Sequence, residues 1–152
     1  MSEMKTKIEA DLKSAMLARD ELRTMTLRGL KSSILYEEVA QKVRDIGLTD
    51  EQIEQLIARE IKKRLEAAEL FARGGNQASA DKEMTEKDIL SVYLPQQMSE
   101  ADLMEIITST IDEIKPEGMK DMGRVIGAVK SKTGNAADGS LIAKLVKETL
   151  QP

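Results

Sequence analysis

The stretch Met119–Val146, MKDMGRVIGAVKSKTGNAADGSLIAKLV, carries the pattern from which the fold can be worked outward. Met122, Val125, Ile126 and Val129 recur at helical spacing, while Lys120, Arg124 and Ser131 lie about half a turn away, so one face packs and the other is basic. Gly134, Asn135 and Gly139 interrupt the pattern. Leu141, Ile142, Leu145, Val146 and Leu150 restart it, with Lys144 and Lys147 on the solvent side. Two helices joined by a tight polar loop follow, the second capped by Asp138 or Ser140.

Upstream, Ser99 to Asp102 forms a helix start, and Leu103, Ile106, Ile107, Thr110, Ile111 and Ile114 mark the inner face of a helix ended by Lys115-Pro116-Glu117-Gly118. The segment from residue 95 to 152 therefore reads as a three-helix bundle. Proline disfavours helical geometry in the residue before it, which makes Leu94-Pro95-Gln96-Gln97 the boundary to a first part, residues 1–94. That part holds four expected helices. The first, over about residues 3–19, carries Met4, Ile8, Leu12, Ala15 and Met16 on one side. The second, from Glu21 to about Asp45, has a stripe of Leu27, Leu30 and Ile34. Met25, Val39 and Val43 lie nearly opposite, the pattern of a helix sandwiched between neighbours. Gly47 is expected to stop it. Thr49-Asp50-Glu51-Gln52 forms a capping box for the third helix, which ends at Arg73-Gly74-Gly75-Asn76. The fourth covers about Asn76 to Tyr93.

Composition supports an all-α chain and narrows its chemistry. Among 152 residues, 41% are hydrophobic, but there are only one Phe and two Tyr and no Trp, so the cores are built from aliphatic residues and nine Met. That favours helix packing over sheets. The absence of Cys and His excludes thiolate nucleophiles, disulfides, histidine bases and zinc sites with His or Cys ligands. Neighbouring carboxylates such as Glu37-Glu38 and Asp112-Glu113 point about 100° apart on a helix and do not converge as an acid–base pair. No glycine-rich phosphate loop of the ATP-binding type is present. The N-terminus alternates charge with apolar residues and resembles neither a signal peptide nor a membrane span, so a cytoplasmic protein is expected, with no cofactor, metal or membrane.

The net charge of -4 hides a division. Residues 96–118 have one base, Lys115, against Glu100, Asp102, Glu105, Asp112, Glu113 and Glu117. Residues 119–152 have Lys120, Arg124, Lys130, Lys132, Lys144 and Lys147 against Asp121, Asp138 and Glu148. A local basic patch of this kind attracts phosphates, although a solvated surface carries as much. Arg59, Lys62, Lys63 and Arg64 form a second cluster, interleaved with Glu60, Glu66 and Glu69 at spacings that suit ion pairs along a helix. Gly123 and Gly127, four apart, allow close packing of another helix or the approach of a nucleic-acid backbone. The Lys130–Ser140 loop reads first as a polar turn with a helix cap, which requires no ligand, and second as a phosphate cradle.

Taken together, LRGLKSSI (Leu27 to Ile34), VYLPQQMSE (Val92 to Glu100), KDMGRVIGAV (Lys120 to Val129) and ADGSLIAKLV (Ala137 to Val146) resemble the YqeY family. From about Gln97 onward the chain is also similar to the tail domain of GatB, the subunit of the amidotransferase that converts Glu-tRNA(Gln) or Asp-tRNA(Asn) to the amide form. The resemblance implies an N-terminal helical domain followed by a GatB-tail-like three-helix bundle. In the full amidotransferase that tail contacts tRNA, while glutamine hydrolysis and ATP-dependent activation belong to other domains. Carried over by position, the implied tRNA-facing residues are Lys120, Arg124, Lys130, Lys132 and Lys144, and no catalytic residue is implied. Three functions compete. One is a non-catalytic tRNA-binding accessory protein. Another is a protein-interaction module acting through the N-terminal helices without RNA. The third is a carbon–nitrogen ligase using glutamine as amide donor, which the family's ancestry invites.

Overall fold

The computed structural model describes residues 2–151, so the outer bounds expected for the two parts, Met1 and Pro152, lie outside the described residues. Among the described residues there are seven α-helices, two short 3-10 turns and no strand, so the chain is all-α. It divides between Leu94 and Pro95 into two compact units.

In the first unit, α1 (Glu3–Leu17) starts where the Ser2 hydroxyl accepts the Lys5 N–H, and α2 (Glu21–Ala40) where Asp20 accepts the Arg23 N–H. α3 (Asp50–Arg73) has the expected capping box: Thr49 Oγ1 accepts the Gln52 N–H at 3.2 Å, and Gln52 Oε1 accepts the Thr49 N–H at 2.9 Å. Asn76 caps α4 (Gln77–Ser91). Each cap satisfies a backbone donor that the helix itself leaves orphaned. α1 packs on α2 and α3 on α4, and the two pairs close over a core that includes Ile8, Leu27, Ile34, Ile53, Ile57 and Leu90. Each such side chain contributes about 1.5–3 kcal/mol by leaving water.

The second helix departs from the sequence expectation in length. It ends at Ala40 and not near Asp45, because Lys42 turns into the left-handed region at φ 60° and Val43 donates back to the Glu38 carbonyl at 2.9 Å. Gly47, expected as the helix stop, lies in the loop beyond at φ 79°. A buried carboxylate organises this loop. Glu38 continues the Leu27-Leu30-Ile34 stripe into the core, 1% exposed, where it takes the Lys5 ammonium at 2.8 and 3.1 Å and the Leu48 N–H at 3.1 Å. Leu48 is thereby drawn into the core. The sandwiched α2 is a second departure. Met25 and Val39 are exposed, with only Val43 of that group partly buried against the core.

α1 is fastened to the far end of the unit by Tyr93. Its ring is buried, its hydroxyl donates to Asp11 Oδ2 at 2.5 Å, and Lys7 Nζ stands 5.5 Å from the ring centroid. Arg23 approaches the same Asp11 at 3.9 Å. Burial, and next the bond to Asp11, push the Tyr93 hydroxyl well above its ordinary pKa of 10.0.

In the second unit, Ser99 caps α5 (Glu100–Ile114), which ends with Lys115 at φ 54° before Pro116. A 3-10 turn, Met119–Asp121, leads into α6 (Met122–Thr133). A second turn, Gly134–Ala136, precedes α7 (Gly139–Leu150). Of the two cap candidates for α7 it is Asp138 that accepts the Leu141 N–H, at 3.3 Å. Leu103, Ile107, Val125, Val129, Ile142, Leu145 and Val146 form the core of this unit. The segment after Pro95 is tied to it, since Met98 donates to the Ala136 carbonyl at 2.8 Å and the Gln97 amide to the Asn135 carbonyl at 3.0 Å.

Candidate nucleic-acid interface

Burial of Val125, Val129 and Thr133 fixes the rotation of α6 about its axis. At 100° per residue the opposite side carries Gly123 and Gly127 in the middle, Arg124 along one edge and Lys130 along the other, and all four are exposed. Nothing lies within 4 Å of where a Cβ would stand on either glycine. No helix packs against them, so the close helix packing weighed from their spacing is not what they serve in this unit. The outcome is a strip of bare backbone between cationic side chains, the shape and charge that suit a phosphate backbone.

The five basic residues marked by the sequence differ in what their side chains do. Lys120, before the first full turn of α6, pairs with Glu117 on the surface. That turn is braced by Asp121, whose carboxylate accepts the Glu117 N–H at 2.8 Å. Arg124 donates to the Ile114 carbonyl at 3.3 Å, one of the carbonyls left open at the end of α5. Lys130 reaches across to the start of α7. Its Cε and Nζ are 3.3 and 3.4 Å from where a Cβ on Gly139 would stand, so that glycine makes room for the lysine. Lys144 is exposed on α7.

Lys132 is different. It lies on the α5 side of α6, where its ammonium donates to Thr110 Oγ1 at 2.9 Å and to Glu113 Oε2 at 3.0 Å. Thr110 is fully buried. Lys132 therefore braces α6 against α5. The fold brings Lys120, Arg124 and Lys130 around the glycine strip and turns Lys132 away from it. The Lys130–Ser140 loop is engaged as well. Two of its carbonyls hold residues 97 and 98, and Asp138 puts its own carboxylate on the first-turn donor of α7.

The basic cluster of the first unit is neutralised by its neighbours. Arg64 meets Glu60 at 3.0 Å and, across to α4, Glu86 at 3.5 Å; Lys63 meets Glu60 at 3.5 Å, and Arg59 approaches Glu37 at 3.9 Å. Sequence reasoning set Glu38 aside because adjacent carboxylates do not converge. Its actual role was signalled by its place four residues beyond Ile34 on the buried stripe. Among the described residues no group of three acidic side chains is placed to hold a metal ion, and no helix is long and apolar enough to cross a membrane.

The model of a family described as Yqey-like protein matches residues 5–150. Altered inheritance of mitochondria protein 41, mitochondrial, from Pyrenophora tritici-repentis is 26% identical over 147 residues, covering 95% of this chain and 79% of the relative. The protein of the same name from Lachancea thermotolerans is 31% identical over 110 residues, 71% of this chain and 58% of the relative. That from Kluyveromyces lactis is 30% identical over 129 residues, 83% and 69%. These mitochondrial names overturn the cytoplasmic location expected from the sequence. That expectation rested on the lack of an apolar leader, a weak criterion, because mitochondrial targeting segments are amphipathic.

Proposed function

Because the chain belongs to the YqeY family, we propose that it is a non-catalytic tRNA-binding protein related to the amidotransferase tail, holding RNA phosphates on the outer face of α6. The observation that carries this is the exposed strip at Gly123 and Gly127 with Arg124 and Lys130 along its edges. Lys120 flanks the strip, and Lys144 is a further exposed base, on α7. Lys132 acts from behind, fixing α6 on α5. Phosphate contacts position a protein on a nucleic acid without reading sequence, and an exposed aromatic for stacking on bases is lacking among the described residues of the second unit. Recognition is thus by shape and charge.

Ultraviolet crosslinking of the full chain to unfractionated tRNA, followed by mapping of the attached peptides, tests this. Adducts are expected in the peptides spanning residues 120–130 and Lys144. Adducts confined to α3, around Arg59 to Arg64, would overturn it.

A further inference from the structure

Within the first unit, the outer side of α2 is a helix face that none of the described residues covers. Met25, Arg28, Gly29, Ser32, Leu35, Tyr36 and Val39 follow one another at spacings of three, one and three residues, which places them on one stripe, and all seven are exposed. Tyr36 is 76% exposed, Met25 61% and Val39 55%. In a chain of which 33% is charged, this stripe has one charge, Arg28. It is the second apolar side of α2, which the first unit leaves uncovered.

We propose that this face is covered by the same face of a second copy, with the two α2 helices antiparallel and a two-fold axis passing at Ser32. The arrangement of size and charge selects that occupant. At 100° per residue Met25, Gly29 and Tyr36 lie on one side of the Ser32 line and Arg28, Leu35 and Val39 on the other, so a dyad at Ser32 sets Met25 across from Val39 of the other copy, Tyr36 beside Gly29, and Arg28 beside Leu35. Nothing lies within 4 Å of a Cβ position at Gly29, which leaves a notch for the side chains arriving from the other copy. Ser32 and Ser33 keep the middle of the stripe low, so the backbones approach closely there. Arg28 donates to Met16 Sδ at 3.7 Å, and its aliphatic stem lies along Leu35 of the other copy. At the ends of the stripe Glu21 comes beside Lys42, both exposed, twice over by symmetry. A parallel pair would instead stack Arg28 on Arg28 and Tyr36 on Tyr36. Like charges would then oppose association, so charge complementarity selects the antiparallel pair. From Met25 to Val39 the stripe is only about 21 Å long at 1.5 Å per residue. An interface of that length is at the small end for protein pairs, so the dimer is weak and concentration-dependent.

The chain contains no Cys, so single cysteines report this geometry without background. Under mild oxidation of the full chain at high-micromolar concentration, Ser32→Cys is expected to form a disulfide-linked dimer rapidly. Met25→Cys and Val39→Cys are each expected to crosslink slowly alone and rapidly when mixed. Leu70→Cys, 66% exposed on α3, sets the rate of chance collision. Tyr36→Glu is expected to weaken self-association at least tenfold in sedimentation equilibrium with helical content unchanged. Crosslinking of Ser32→Cys no faster than that of Leu70→Cys would overturn the proposal, as would fast crosslinking of Met25→Cys with itself.

Discussion

The Lys132 ammonium stands 3.0 Å from the Glu113 carboxylate and 2.9 Å from the Thr110 hydroxyl, bridging α6 to α5 inside the second unit. A lysine that looks equivalent to Lys130 in the sequence is therefore a structural brace. Lys132→Ala should destabilise the second unit by about 1 kcal/mol, the size of a half-exposed ion pair plus one hydrogen bond, and leave the salt dependence of tRNA binding unchanged. Chemical denaturation alongside binding titrations checks both halves of this statement.

The buried Glu38 should be the most sensitive polar position of the first unit. Lys5→Met removes its cation and leaves the carboxylate buried without a counter-charge, a change that costs about 3–5 kcal/mol. Gly47→Ala should be harmful for a separate reason. Its φ of 79° suits glycine, and a Cβ there would stand 2.9 Å from Glu38 Oε2. Urea unfolding of the two variants, read by helical circular dichroism, is the check.

Tyr93 links pH to stability at the alkaline end. Its folded pKa is raised above the unfolded value of 10.0 by burial and by the bond to Asp11, so the folded state holds this proton longer than the unfolded chain does. Its contribution is fully present below pH 10.0 and falls as pH rises above that value, because the unfolded state then gains by ionising. In Tyr36→Phe, which leaves Tyr93 as the sole tyrosine, phenolate absorbance should appear only far above the ordinary range or together with unfolding. Appearance of the signal near pH 10.0 in folded protein would contradict the placement of this ring.

The two compact units have separate cores, and the bonds from Gln97 and Met98 keep the segment after Pro95 with the second. We propose that they are independent domains. A cut between Leu94 and Pro95 should leave two fragments that each remain helical and melt cooperatively. Loss of helix in both fragments would contradict it.

Most of the fold could be read from the chain because its signals are local. The capping box at Thr49 and Gln52, the break at Pro95 and the apolar stripes of α3, α5, α6 and α7 need only spacing and cap chemistry. The early end of α2 was hidden, since no local pattern marks Lys42 as the residue that turns left-handed, and the Glu38–Lys5 contact beside it joins residues 33 apart. The two-sided apolar pattern of α2 was visible, but a single sequence does not say that one side stays uncovered. At the candidate interface, the basic residues were legible as types. Whether Lys132 or Lys130 faces outward depends on a 200° difference in rotation about α6 and on Thr110 and Glu113 of another helix.

The salt dependence of tRNA binding tests the interface on α6 most directly. With Lys120, Arg124, Lys130 and Lys144 each displacing a counterion, the slope of log affinity against log salt should be roughly -3 to -4, taking the duplex-DNA coefficient as a guide. Lys130→Ala and Lys144→Ala together should flatten that slope by about two, whereas a Lys62→Ala and Lys63→Ala double variant should keep it. Retention of the full slope by the first pair and its loss in the second would contradict the placement of the interface on α6, and absence of tRNA binding by the unaltered chain at low salt would contradict the function itself.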